Sequence, residues 1–504
     1  MVTKSSQVDF QRVGKGILVI LFLILFLLTI GLRAWMSDDA YITLRTVDNF
    51  INGYGLTWNI SERVQPYTHP LWMFLLSFTY FFTREAYYTT IILSLVISLA
   101  AVILYTYKIV QIRSIAILGI LILILSRAFT DYSTSGLENP LSHLCLIIFF
   151  IIYFEPENRI NKAFWLSLVA SLSVLNRMDA LLIYLPSLIV VFWHNRSWKT
   201  FWLMSAGQIP LLLWFGFSLF YYGFLFPNSA YAKLNTGIPI SDLLHQGSLY
   251  FLDSLRTDPI TLIVIMMGVF TPLIFREKRL LPLSAGIFLY LLYVLRIGGD
   301  FMSGRFFALP LLASLISLAM LFKKPSNRVL LISVFVLILI LGFLSPSPTY
   351  RIFEEAAINP DTGIADERGY YHLFTGILAA RNNISISDHE WAEEGRLNRE
   401  RIKPVLRGAI GLYGYYAGPN VHIIDRHALA DPLLARLHIN LNNPWRIGHF
   451  KRAIPIGYFD TVMTGKNVLE NPDIKKLYDE IKLITRGDLF DPQRLLAIWR
   501  INTG

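Results

Sequence analysis

The 504-residue sequence predicts a polytopic α-helical membrane protein that ends in a separate mixed α and β domain, and three observations carry that expectation. Apolar residues make up 54% of the chain and charged residues only 16%, with a mean hydropathy of +0.49, whereas a soluble domain carries about 25% charged residues. Apolar runs close to the length of a bilayer crossing recur from residue 17 to residue 345. The apolar density then stops at Ser345-Pro346-Ser347-Pro348, and residues 346–504 mix charges, glycines and aromatics as a soluble domain does. The expected domains are therefore 1–345 in the membrane and 346–504 outside it.

Taken in order, the expected spans are 17–34, 86–107, 114–130, 140–154, 161–176, 180–194, 200–222, 260–275, 280–297, 306–322 and 328–345, about eleven transmembrane helices. The first follows Lys4, Arg12 and Lys15 and looks like a signal peptide, but no small-residue cleavage site follows it, so it reads as an uncleaved span. The run 70–82 is too short to cross: as a helix it covers about 20 Å of a core about 30 Å thick. It reads as a juxtamembrane helix after a first outside loop, 35–69. In the C-terminal part, Val421–Asp425 looks like a strand and Asp473–Ile484 has helical periodicity.

Charge assigns the sides. The chain carries 45 Lys and Arg against 35 acids, a formal charge of +10. Residues 346–504 hold 20 basic against 19 acidic residues, so the excess belongs to the membrane half. With a cytoplasmic N-terminus and a non-crossing 70–82, inside loops hold 15 basic and 4 acidic residues, and the outside of the membrane half holds 10 and 12. That asymmetry is the positive-inside pattern. It predicts a multi-pass protein of the bacterial inner membrane with a periplasmic C-terminal domain. No basic stripe interleaved with aromatics is present, which excludes a nucleic-acid partner. The single cysteine, Cys145, excludes an intramolecular disulfide or a cysteine-ligated zinc. No phosphate-binding Gly-rich loop, dinucleotide fingerprint or nucleophile elbow occurs, which disfavours a nucleotide donor.

Polar clusters gather on the outside face. Asp38-Asp39 follow the first span, with Tyr41, Gly53, Gly55, Glu62-Arg63 and Tyr67-Thr68-His69 behind them. An adjacent carboxylate pair can serve as a base or hold a divalent cation, and burial raises the pKa of such a group; the plainer reading is a helix cap. Glu138, in Ser135-Gly136-Leu137-Glu138, sits at a span end, placed for metal, for sugar hydroxyls or for capping. Arg177 and Asp179 can simply pair. Lys233 is a candidate phosphate contact or a snorkelling anchor. Gly298-Gly299-Asp300 with Gly304-Arg305 combines a pliable backbone, an acid and a bidentate cation.

These motifs resemble a known family. The acidic pair Asp38-Asp39 just after the first span, the short non-crossing helix and the outside acid after the third span resemble the GT-C superfamily of membrane glycosyltransferases. More closely, Asp38-Asp39-Ala40-Tyr41-Ile42, Glu62-Arg63-Val64 with Tyr67-Thr68, Ser135-Gly136-Leu137-Glu138 and Gly298-Gly299-Asp300-Phe301-Met302 with Gly304-Arg305-Phe306 resemble the mycobacterial terminal arabinofuranosyltransferase family. Gly363–Gly369, Tyr416-Ala417-Gly418-Pro419, Asp425-Arg426, Ala430-Asp431-Pro432 and Pro444–His449 extend the likeness into the C-terminal part. The resemblance implies an inverting transfer of a sugar, D-arabinofuranose foremost, from a polyprenyl-phosphate donor. The acceptor would be a hydroxyl of a cell-envelope glycan or surface protein.

On that resemblance Asp38 would be the general base and Asp39 would orient it, bind sugar hydroxyls or exchange roles with it. Lys233 and Arg305, and after them Arg177, would hold the phosphate. Glu138 and Asp300 would bind hydroxyls or a divalent cation, with Asp39 and Glu138 the candidate metal ligands and no cofactor certain. His69 and Tyr41 would line the donor site, and Trp445-Arg446 and Asp425-Arg426 would touch the acceptor. A hexose transferase of the same fold is the near alternative. A lipid-linked sugar flippase is the distant one, since flippase charges gather near the midplane and often in internal repeats.

Overall fold

The structure, a computed structural model, describes residues 3–156, 161–234, 236–322, 328–344, 358–379, 383–441 and 444–503; the expected domain boundary at 346 lies outside them. Contacts divide the chain into two compact units, each assembled from three stretches. One comprises 1–36, 90–208 and 241–379; the other comprises 37–89, 209–240 and 380–504.

In the first unit the helices follow the apolar runs: Thr3–Leu32, Tyr87–Leu104 extended by a π turn over Tyr105–Ile109, Arg113–Leu125, Asn139–Phe154, Lys162–Asn176, Leu181–His194, Pro259–Ile274, Leu281–Arg296, Ala308–Leu321 and Arg328–Leu344. The run 200–222 is broken at Gln208 into Trp198–Gly207 and, in the second unit, Ile209–Tyr221; 70–82 is the helix Pro70–Thr83, also of the second unit. Among the described residues one helix, Tyr87–Ile109, is by itself long and apolar enough to cross a membrane, and up to three are if the pairs broken at Gln208 and Asp258 each count as one. Eight others are apolar helices of 10–17 residues.

Small residues let these helices approach. A Cβ on Gly268 would lie 2.3 Å from the Cβ of Ser314, and one on Gly286 would lie 2.3 Å from the carbonyl oxygen of Ile183. Close contact through Gly and Ser is how helices pack where no water is squeezed out between them. The helix Ile240–Thr257 lies in a segment expected as an outside loop. Its polar and apolar faces are segregated, and it turns by 113° into Pro259–Ile274. The motif at 366–368 holds this unit together: Arg127 pairs with Asp366, and the Arg33 guanidinium lies 2.6 Å from Asp131, with Arg368 Nε at 3.9 Å.

The second unit is mostly helical with one small sheet. Strand β1 (Val405–Arg407) pairs in parallel with β2 (Ile423–Asp425), Leu406 opposite Ile424. The strand-like run at 421–425 thus shortens to three residues, and the periodic run at 473–484 is the helix Pro472–Arg486. Asn471 caps that helix by accepting from the Asp473 and Ile474 amides. One core packs Ile42, Trp58, Tyr413, Val421 and Ile423 between Asp38–Ile51 and Gly411–Ala417. A second gathers Leu433, Leu434, Tyr458, Tyr478 and Ile481 with Ala232 and Ala428.

Candidate active site

Each unit holds a polar centre. In the second unit, Ser37 supplies the cap of helix Asp38–Ile51, its hydroxyl accepting from the Ala40 amide at 3.3 Å. Capping is therefore done without Asp38, whose side chain turns elsewhere. Its two carboxylate oxygens accept the amides of Leu412 (2.6 Å) and Gly411 (3.0 Å), at the start of Gly411–Ala417. Burial pushes the Asp38 carboxyl up to about 7, the two amides oppose the shift, and the neighbouring charges of Asp39 and Asp425 add to it. A carboxyl poised there is only about half ionised at neutral pH, and its ionised form is basic enough to accept a proton. Asp39 is half-buried, more open than Asp38. Gly411 and Leu412 escaped the sequence reading because they lie 373 and 374 residues from Asp38, and no local pattern announces such a contact.

Tyr41 and His69 belong to the same unit. The Tyr41 ring meets Tyr415 edge-on at 5.4 Å and Tyr416 at 6.4 Å. His69 precedes helix Pro70–Thr83 and is buried, its Nε2 2.8 Å from the Thr43 hydroxyl. Glu62 is structural: it accepts from Arg486 at 2.9 Å and from Asn59 at 3.2 Å. Burial works to raise its pKa, but Arg486 and His422 outweigh it and hold the carboxyl below its ordinary value.

The first unit brings together four of the residues expected at the site. Glu138 accepts from Arg305 Nη2 at 3.0 Å and from Arg177 Nη1 at 3.3 Å. Arg177 also grips Asp179 with two nitrogens, each at 2.8 Å, and its guanidinium lies 4.5 Å over the Phe306 ring. Arg305 Nη1 is 3.6 Å from Asp300, and the Tyr290 hydroxyl donates to Asp179 at 3.1 Å. Three carboxylates face two guanidiniums here, so both arginines are already neutralised. In the same unit an apolar groove of about 860 Å³, lined by Phe251, Leu255, Met266 and Phe270 among others, runs beside the helices flanking Asp258.

The residues expected at the acceptor lie in the second unit and play mixed parts. Asp425 ends β2 fully buried, accepting the amides of His427 and Ala430 at 2.9 Å each. Burial pushes its carboxyl up to about 6 against those amides. It braces a loop. Arg426 is exposed, Trp445 is half-buried with its ring 6.2 Å from Phe450, and Arg446 turns back on His449, whose amide donates to the Arg446 carbonyl at 2.9 Å. Lys233 is half-buried near the end of helix Asn228–Leu234. Among the described residues no group of three or more His, Cys, Asp or Glu is placed to hold a metal ion.

No family model matches the chain. The terminal β-(1→2)-arabinofuranosyltransferase of Mycobacterium tuberculosis is 26% identical over 519 aligned positions, which span 84% of this chain and 82% of that protein. The chain is a relative of the terminal arabinofuranosyltransferases. This relationship makes it a glycosyltransferase, the enzyme class its motifs indicated. The terminal β-(1→2)-arabinofuranosyltransferase of Corynebacterium glutamicum is a second relative of this arabinofuranosyltransferase-like chain, 24% identical across 57% of it and 48% of the relative. Among solved structures, the crystal structure of ArnT from Cupriavidus metallidurans bound to undecaprenyl phosphate is similar at a TM-score of 0.46 and 12% identity, covering 81% of this chain and 85% of that one.

Proposed function

We propose that this relative of the arabinofuranosyltransferases is a GT-C membrane enzyme that moves a sugar, D-arabinofuranose foremost, from a polyprenyl-phosphate donor to an acceptor hydroxyl on the outer face of the inner membrane. The observation that carries the chemistry is the buried Asp38 carboxylate, held by two backbone amides and displaced toward neutrality. A lipid phosphate is already a competent leaving group. The protein's work is then to remove the acceptor proton and to stabilise charge on the phosphate and on an oxocarbenium-like sugar. Asp38 takes the proton in a single displacement that inverts the anomeric centre. Its fixed orientation keeps the accepting lone pair aimed. Of the phosphate candidates, Lys233 is favoured over Arg305 and Arg177, because both arginines are already matched by carboxylates.

A second reading exchanges the two acids: Asp39 is the more open of the pair and would reach the acceptor while Asp38 orients it. Transfer from a radiolabelled polyprenyl-phosphate pentose by purified Asp38→Asn and Asp39→Asn protein separates these readings. Loss of at least a thousandfold in kcat with Asp38→Asn, against a smaller loss with Asp39→Asn, is expected. The reverse order exchanges the roles, and wild-type rates in both variants end the transferase mechanism. Movement of the lipid across a bilayer without transfer would favour the flippase.

A further inference from the structure

Helix Pro492–Thr503 of the second unit is pinned to the end of an apolar helix of the same unit. Arg494 is fully buried, and its guanidinium donates to the carbonyls of Phe220 (2.7 Å) and Tyr221 (2.9 Å), in the last turn of Ile209–Tyr221. A helix cannot satisfy those carbonyls itself, and its C-terminal end favours a cation. The same guanidinium holds the carbonyls of Ile484 (2.8 Å) and Leu489 (3.1 Å), and Asn502 donates to the Gly223 carbonyl at 2.9 Å. The junction is tight: a Cβ on Gly223 would lie 2.1 Å from Cγ2 of Ile484.

The other face of helix Pro492–Thr503 is apolar and open. Arg494, Ala497 and Ile498 are buried, whereas Leu495, Leu496 and Trp499 are exposed, Trp499 to 66%. At helical spacing these three fall within about 100° of arc, with the exposed polar residues Gln493 and Arg500 to one side. Phe490, just before the helix, is 78% exposed, and its ring meets that of Phe220 at 5.4 Å. Phe220 in turn adjoins an exposed stripe on Ile209–Tyr221, made of Ile209, Leu212, Leu213 and Leu219 at helical spacing. Exposed apolar side chains therefore continue from that helix, past its end, onto Pro492–Thr503.

We infer that Phe490, Leu495, Leu496 and Trp499 form a membrane-docking face that lies in the interfacial layer of the lipid bilayer. Large apolar side chains left in water cost free energy that burial among acyl chains returns. Continuity selects lipid as the occupant, because Ile209–Tyr221 is the second half of a bent helix pair that is together long and apolar enough to cross a membrane. A Trp beyond the last turn of such a helix falls where indole rings gather at a bilayer surface, and Phe and Leu make up the apolar face of interfacial helices. The inference rests on the membrane setting of the proposed function. It adds that residues 380–504, expected as part of a domain outside the membrane, are seated on the bilayer. Asp38 belongs to the same unit, so the seating fixes its height above the lipid.

The test uses full-length protein in phosphatidylcholine vesicles, nitroxide-labelled at Leu213→Cys, Gln493→Cys, Leu496→Cys or Trp499→Cys; the native Cys145 is buried. Relaxation of the label by oxygen, which concentrates among acyl chains, is compared with relaxation by a water-soluble nickel chelate. Leu496→Cys and Trp499→Cys should favour oxygen, at a depth of about 5–10 Å into the boundary between headgroups and acyl chains. Gln493→Cys, on the polar side, should favour the chelate; an oxygen preference there equal to that of Trp499→Cys would mean an immersed helix and overturn docking by this face. Each variant should unfold at the wild-type temperature, and Leu496→Cys reads the same face one turn away if Trp499→Cys fails that check. Chelate preference at both Leu496→Cys and Trp499→Cys, with oxygen preference at Leu213→Cys, overturns the docking face and leaves the membrane enzyme intact. Chelate preference at Leu213→Cys as well overturns the membrane setting with it. Protection of Leu496→Cys and Trp499→Cys from both agents would mean that protein covers the face, which also overturns the docking.

Discussion

Asp38 concentrates the conflict between stability and chemistry in one carboxyl group. Its pKa is raised from 3.8 to about 7 by burial. The native state therefore holds the proton more tightly than the unfolded chain, and the resulting stability, complete below about pH 3.8, is lost as pH rises through 7. A displacement of this size corresponds to about 4 kcal/mol at most. Asp38→Asn mimics the protonated group, so its thermal midpoint should exceed that of the wild type at pH 8 and converge with it near pH 4. A variant less stable at pH 8 would mean that the Gly411 and Leu412 amides stabilise the anion more than burial opposes it. Wild-type transfer should run the other way, rising through pH 7 as the base ionises. The same geometry makes Gly411 irreplaceable, because an added Cβ would sit 1.8 Å from the Asp38 carbonyl oxygen and 2.8 Å from its carboxyl carbon. Since backbone must move, Gly411→Ala should lower kcat by about a hundredfold, the scale of a 1 Å misplacement. An unchanged kcat would show that the amides at 411 and 412 do not position the carboxylate.

Helix Asp38–Ile51 reaches its partners through Arg45, which is buried and donates to the carbonyls of Trp58 (2.9 Å), Gly414 (3.1 Å) and Val421 (2.8 Å), with its guanidinium 4.2 Å over the Trp58 ring. One fork thus satisfies carbonyls on three segments and fixes Gly411–Ala417 against the helix that carries the acids. Arg45→Leu takes this donor from the Gly414 and Val421 carbonyls, while Trp58 keeps the Asn49 amide at 3.1 Å, and should cost about 2–4 kcal/mol. Arg45→Lys should recover less than half, since a point donor cannot span three acceptors. Denaturation midpoints of the purified variants measure both, and full rescue by Lys would mean that charge alone is what counts. Elements of this kind were partly legible. The apolar runs became helices because a long stretch without water must satisfy its own backbone, and Arg177–Asp179 could be paired on sight because they are two residues apart. The links from Arg45 to Gly414 and from Glu138 to Arg305 span 369 and 167 residues, and no periodicity encodes them. The helix Ile240–Thr257 was missed for another reason: its apolar positions, Leu243, Leu244, Gly247, Tyr250, Phe251 and Leu255, do repeat at helical spacing, but the segment is too polar overall to register as a span.

For the whole molecule, hydropathy reads along the chain while folding does not. The two compact units interleave, so that 37–89 and 209–240 fold with 380–504, a grouping invisible to any count of apolar residues per window. Sidedness, by contrast, is a linear property, because each loop is held on one side by its own charges. The 15-to-4 basic excess predicts a cytoplasmic loop at Arg276, Lys278 and Arg279 and C-terminal residues outside the cytoplasm. Cysteine accessibility can test this with little background, since Cys145 is the only cysteine and is buried. Lys278 and Lys466 are both exposed. In spheroplasts, a membrane-impermeant maleimide should label Lys466→Cys at once and Lys278→Cys only after permeabilisation. Labelling of Lys278→Cys in intact spheroplasts, with Lys466→Cys protected, would invert the topology and move Asp38 to the cytoplasmic face, where a periplasmic acceptor could not reach it.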